Sequence, residues 1–123
     1  MATIVDSGKI IPVGRVLDLQ PQLMRDGVAL NLTGKTVTAT FRRESAPNTT
    51  LGAAWEDEAC TLSNDTYTTA QGGVRITKEL LASAFPVPTR ATEHYDYIVE
   101  FYVVEDDYSP LKLRFGVTLS LKA

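Results

Sequence analysis

His94 is the only histidine in the chain and Cys60 the only cysteine, so a Ser-His-Asp or Cys-His site would have to be built around that one imidazole. His94 follows Glu93 at the start of an alternating segment. Neither Cys60 nor any serine lies in a nucleophile motif such as G-x-S-x-G. Zinc asks for Cys and His ligands in local pairs, and one of each far apart in sequence does not supply them. The acidic groups Glu56-Asp57-Glu58 and Glu105-Asp106-Asp107 lack the alternating spacing and central glycine of a calcium loop and read as solvated loop charge. No glycine-rich segment follows a strand and opens a helix, so a phosphate cradle is absent. The expectation is a protein that is not an enzyme and has no cofactor and no metal.

The remaining chemistry is contact chemistry. Arg42-Arg43 is the only basic doublet in a chain of net charge −3, and it reads as a solvated strand end that discourages edge pairing rather than as a phosphate patch. Nucleic acid is not an expected partner. With no apolar run approaching about twenty residues, a membrane is not expected either. A single cysteine excludes an intramolecular disulfide and reads as a free buried thiol. "MATIVDSGKIIPVG" carries Asp6 inside its short apolar run and is not expected to be a secretory leader. The triplets beginning at Asn31, Asn48 and Asn64 therefore read as turn-forming asparagines in a threonine-rich chain.

These residues need a scaffold, and the sequence spells out a β one. At 123 residues and 44% hydrophobic content the chain fits one domain that buries roughly two-thirds of its unfolded surface. "YDYIVEFYVV" places Tyr95, Tyr97, Val99, Phe101 and Val103 on one face, and "LKLRFGVTLSLK" does the same for Leu111, Leu113, Phe115, Val117, Leu119 and Leu121. Period two over that length means strands, and "EDDYSP" between them reads as a hairpin loop. Opposed residues share a face, which allows Phe101 opposite Leu113 or Phe101 opposite Phe115. The first also sets Glu100 against Arg114 and is favoured.

"TVTATFRR" turns Val37, Ala39 and Phe41 inward and Thr36, Thr38, Thr40 and Arg42 outward, a β-branched polar face suited to a solvated or partner-covered sheet. Upstream, Asp26-Gly27 supplies the positive-φ pair of a tight hairpin, and Pro21 demotes the preceding strand to an edge or a broken strand. From Glu44 to Gly73 a long loop is expected, then short strands near Ala59 to Leu62 and Tyr67 to Thr69. A strand through Val74 and Ile76 follows, then a short helix capped by Thr77, buried through Leu80, Leu81 and Ala84, and stopped by Pro86. Several short strands punctuated by turns indicate a sandwich. Trp55, between alanines and acids, is read either as a partner-facing anchor or as a core plug under the loop.

"DGVALNLTGKTVTATFRR", followed by "TTAQGGVRIT" and a closing pair of alternating strands, resembles the N-terminal immunoglobulin-like domain of the baseplate upper protein family of tailed phages. The match runs through Asp26-Gly27, Leu32-Thr33-Gly34, Val37 to Arg43, Gly73 to Ile76 and Tyr95 to Val103. "TRATEHYDY" stands where the family carries Pro-Gly-x-Tyr, and the insert from Ser45 to Ala59 is long for it. The resemblance implies an all-β, immunoglobulin-like antiparallel sandwich with one short helix, residues 15–123, preceded by an N-terminal arm, residues 1–14. It also implies a structural component of a tailed-phage virion, in tail or baseplate, made in the host cytoplasm. Such a component docks to other virion proteins and forms a homo-oligomer. The contact residues expected on this reading are Ile4, Ile10 and Ile11 on the arm, with Trp55, Tyr102 and Tyr108. A capsid-decorating or head-associated phage protein is the alternative. A non-viral carbohydrate-binding or adhesion sandwich, using Tyr102, Tyr108 or Trp55, is the further one.

Overall fold

The computed structural model describes residues 4–90 and 93–119. Eleven strands follow one another in these residues: β1 (Ile4–Pro12), β2 (Val16–Leu19), β3 (Met24–Arg25), β4 (Val28–Ala29), β5 (Val37–Arg43), β6 (Ala46–Thr50), β7 (Glu58–Ala59), β8 (Thr61–Leu62), β9 (Val74–Glu79), β10 (His94–Val103) and β11 (Tyr108–Thr118). The larger sheet runs β1-β11-β10-β5-β6, with β7 also on β5, and the smaller runs β2-β9-β8. The alternation seen in the sequence is the inside and outside of these two layers. Val37, Ala39 and Phe41 of β5, Tyr97, Val99, Phe101 and Val103 of β10, and Leu113, Phe115 and Val117 of β11 form one core with Leu17, Leu19, Val74 and Ile76 of the smaller sheet.

The order β11-β10-β5 facing β2-β9-β8 is the strand order of an immunoglobulin-like sandwich. Tyr97, near the start of β10, donates its hydroxyl to the Pro86 carbonyl at 2.7 Å, the tyrosine corner of that fold. Two residues on, where antibody domains place a cysteine of the inter-sheet disulfide, this chain has buried Val99. The chain passes between sheets at Cys60: β7 pairs with β5, β8 pairs with β9, and the Cys60 N–H donates to the Val37 carbonyl. Burial pushes the Cys60 thiol up to about 12.

Several expectations are met. Asp26 and Gly27 close the β3–β4 hairpin with φ of 53° and 79°. β2 is an edge strand ending before Pro21. Others are corrected. The short helix is a single turn, in which Ala84 and Phe85 N–H both donate to the Leu81 carbonyl. Thr77, expected as its cap, is instead in β9 opposite Asp18, and Leu81, expected buried, is 47% exposed. An isolated helix of that length has too few hydrogen bonds to offset its nucleation. Inside the expected long loop lies β6, and Thr69–Gln71 is a 3₁₀ turn rather than strand.

The β10–β11 register also differs from both alternatives: Phe101 faces Leu111, and Glu100 faces Lys112. The cause lies in the loop. Lys35 Nζ holds Asp106 at 2.8 Å, and the Thr36 N–H and hydroxyl hold Glu105. The hairpin therefore closes at Val103 opposite Tyr108, and Tyr108, Ser109 and Pro110 are drawn into β11.

The segment expected as an arm, residues 1–14, lies within the sheet over Ile4–Pro12, pairing parallel with β11. A segment at the edge of a domain orders when backbone partners are offered, and here β11 offers them. The pairing is interrupted between Asp6 and Ile10 by a bulge that satisfies itself. Ser7 Oγ donates to the Arg114 carbonyl, and the Gly8 N–H donates to Asp6 Oδ1.

Candidate contact surface on the outer face of the larger sheet

The residues that alternate with the core on β5, β10 and β11 share one face that no other sheet covers among the described residues. Two cross-strand rows define it. One reads Thr40, Glu100, Lys112, Ile4 across β5, β10, β11 and β1; the next reads Arg42, Ile98, Arg114, Asp6. All of these but Arg114 and Asp6 line a shallow depression of about 510 Å³, walled beyond β5 by Pro47 and Asn48 of β6. A second depression, about 330 Å³, continues from Thr40 and Arg42 towards Tyr102 and Asp57.

Most charges here are already matched. Arg114 donates two bonds to the Glu44 carboxylate, 2.6 Å and 2.7 Å, and Arg42 Nη1 lies 2.8 Å from Glu56 Oε1. Ser109 donates to Glu100 at 2.5 Å. Lys112 has no salt-bridge partner among the described residues. Hydrogen bonding from Arg114 holds the Glu44 carboxyl below its ordinary value despite some burial, and Arg75 does the same for Asp18 on the smaller sheet. Bonds from the Thr36 backbone lower Glu105. A carboxylate with a depressed folded value contributes stability that is complete above its unfolded value and is lost as pH falls through the folded one. Stability is therefore expected to decline below the ordinary values of 4.5 for Glu and 3.8 for Asp. Glu44→Gln is expected to lower the urea midpoint at neutral pH and to converge with the parent protein in acid. Parallel curves at all pH values would rule this out.

The expected contact residues divide. Ile4 and Tyr102 lie on this outer face, and the Tyr102 hydroxyl donates to the Asp107 carboxylate. Ile10 is 53% exposed, with its side chain over Gly116 beside His94. Ile11 packs half-buried against the core, and the Tyr108 ring lies under the Arg25 guanidinium, 4.3 Å from its centroid. Trp55 is corrected as an anchor: it is 3% exposed and meets Phe41 and Phe85 edge-on at 5.4 Å and 4.5 Å. Its alanine neighbours stay outside, so the indole alone enters the core. Lys112 and Thr40 were visible in the sequence as outward residues; what escaped it is that β1 lies beside β11 and completes their rows.

The other candidates for chemistry have structural employment. His94 Nε2 lies 3.1 Å from Asp96 Oδ1; Ser45 and His94 line a separate shallow depression of about 310 Å³, and no hydrogen bond joins them. Glu58 holds Lys78, and Arg43 covers the Tyr95 ring at 3.8 Å. The Asn64 amide donates to the carbonyls of Pro21 and Val74 while its oxygen accepts from Thr66 and Tyr67. Among the described residues no three His, Cys, Asp or Glu side chains come together as a metal site, and no helix is long and apolar enough to cross a membrane.

No protein-family model matches the chain, and no curated protein matches it significantly. Among solved structures it is similar to the NK cell receptor Nkp44, a triggering partner in natural cytotoxicity, at 14% identity over 98% of this chain and 99% of that one, with a TM-score of 0.39. The strand order, not this distant likeness, defines the fold.

Proposed function

We propose that the chain is a structural component of a tailed-phage virion, in its tail or baseplate, acting through contacts with other virion proteins and with copies of itself. The observation that supports this most is the broad outer face of the larger sheet, where shallow depressions and balanced charge offer a surface for another protein. The resemblance to the baseplate upper protein domain adds to it, since its short motifs have physical work here. Asp26-Gly27 turns the β3–β4 hairpin, and Gly34, at φ 77°, turns the chain into β5.

The test is mass spectrometry of purified particles combined with gold labelling of the intact virion. The chain is expected among the particle proteins, with label at the tail or baseplate. Label over the head would replace this reading with a capsid-decorating one, and absence from particles would end the virion reading altogether.

A further inference from the structure

We infer that the outer face of the larger sheet is the self-association surface of this chain, and that its occupant is the same face of a second copy, related by a two-fold axis running along the strands between β10 and β11. The inference deepens the reading of assembly by contact and rests on it. It is carried by the charge order of the two rows. A two-fold along that line exchanges β10 with β11 and β5 with β1. In the first row it places Glu100 over the second copy's Lys112, Lys112 over its Glu100, and Thr40 over its Ile4. In the second row it places Arg42 over the second copy's Asp6, Asp6 over its Arg42, and Ile98 under the aliphatic stem of its Arg114. Each Arg114 arrives with its own Glu44 already bound.

No like charges are opposed in either row. A two-fold across the strands at the first row would do the reverse, setting Glu100 on Glu100 and Lys112 on Lys112. The chosen axis also lets two sheets stack face to face with nearly aligned strands, the common geometry for sheet-on-sheet packing, in an isologous interface that closes at two copies. The raised residues fit as well. Pro47 and Asn48 wall the depression on the β6 side; the axis carries them past the β1 edge of the other copy, where that sheet ends. Lys112, without a salt-bridge partner among the described residues of its own chain, gains one.

The test is the solution mass of the purified protein by sedimentation and light scattering. The expected mass is twice the chain mass of 13.5 kDa. Lys112→Glu and Glu100→Lys are each expected to weaken the dimer by roughly tenfold or more, because each opposes like charges; the double exchange is expected to restore it. A folded monomer is expected from Thr40→Trp, which sets a bulky ring against the second copy's Ile4, and circular dichroism checks the fold of every variant. A monomeric parent protein, a dimer indifferent to both reversals, or a double exchange that stays monomeric overturns the inference. These outcomes are independent of particle labelling, so this surface and the virion reading can fail separately.

Discussion

Trp55→Ala is expected to cost about 3–5 kcal/mol, the range for removing a large aromatic from a packed interior, against a total stability of about 5–15 kcal/mol for a domain of this kind. The side chain sits on a 3₁₀ turn, Ala53–Trp55, and is inserted between Phe41 of β5 and Phe85 of the turn before β10. Phe85 in turn touches Tyr97, with ring centroids 4.8 Å apart, so the indole supports the tyrosine corner through one intermediary. Lys78 closes the far side, with Nζ 4.6 Å from the ring centroid and bonded to Glu58 and the Ala54 carbonyl. Alanine leaves a void roofed by a short turn that has no other buried residue. Urea unfolding measures the loss, and the parent protein's emission should be blue-shifted because the indole is out of water. A loss under about 1 kcal/mol, or the red emission of a solvated indole, would return Trp55 to the surface.

The second large effect is expected at Gly73. A Cβ there would lie 2.2 Å from the Tyr67 carbonyl oxygen and 2.7 Å from its carbon. Both are backbone atoms, so no rotamer change relieves the contact. The surrounding chain is also committed: the Gly73 N–H donates to the Thr68 carbonyl, its own carbonyl accepts from Ser63, and a bridge ties it to Gln22. Gly73→Ala must displace the 63–68 loop or the start of β9, at the upper end of or beyond the roughly 1–3 kcal/mol typical of overpacking. Gly34→Ala is the matched control. Nothing lies within 4 Å of a Cβ at Gly34, and only its φ of +77° objects, which costs about 1–2 kcal/mol. Denaturant midpoints that rank Gly34→Ala as the worse of the two would contradict the crowding at Gly73.

Why β5, β10 and β11 could be read from the sequence follows from their surroundings: each has one face in the core and the other outside it, which produces strict alternation. β1 and β6 lack that signature. Around Ser7-Gly8-Lys9 the bulge interrupts the period of β1, and β6 reads Ala-Pro-Asn-Thr-Thr because it lies at the open side of β5 and buries almost nothing. The stripe of Leu80, Leu81 and Ala84 suggested a helix, although Leu80 and Phe85, five residues apart, are the two that reach the interior. Trp55 could be read either way because the preceding alanines and following acids look the same over a core as over water. The outer face was half legible. Its individual charges were evident, but the rows depend on a register between the first and last strands, and no local pattern encodes a contact between Ser7 and Arg114, 107 positions apart.

That pairing of first strand with last has a consequence for biosynthesis. Within this domain β1 is made well ahead of its docking site in β11, so it must wait, unpaired, while nearly all the polypeptide between them is translated. Joining ends so distant adds little to the equilibrium cost, because closure entropy grows only logarithmically, but contacts of such long range slow folding. Lodging of residues 4–12 should therefore be a late step of maturation, and until then the exposed strand of the nascent chain is the part most open to capture by a neighbour or a chaperone.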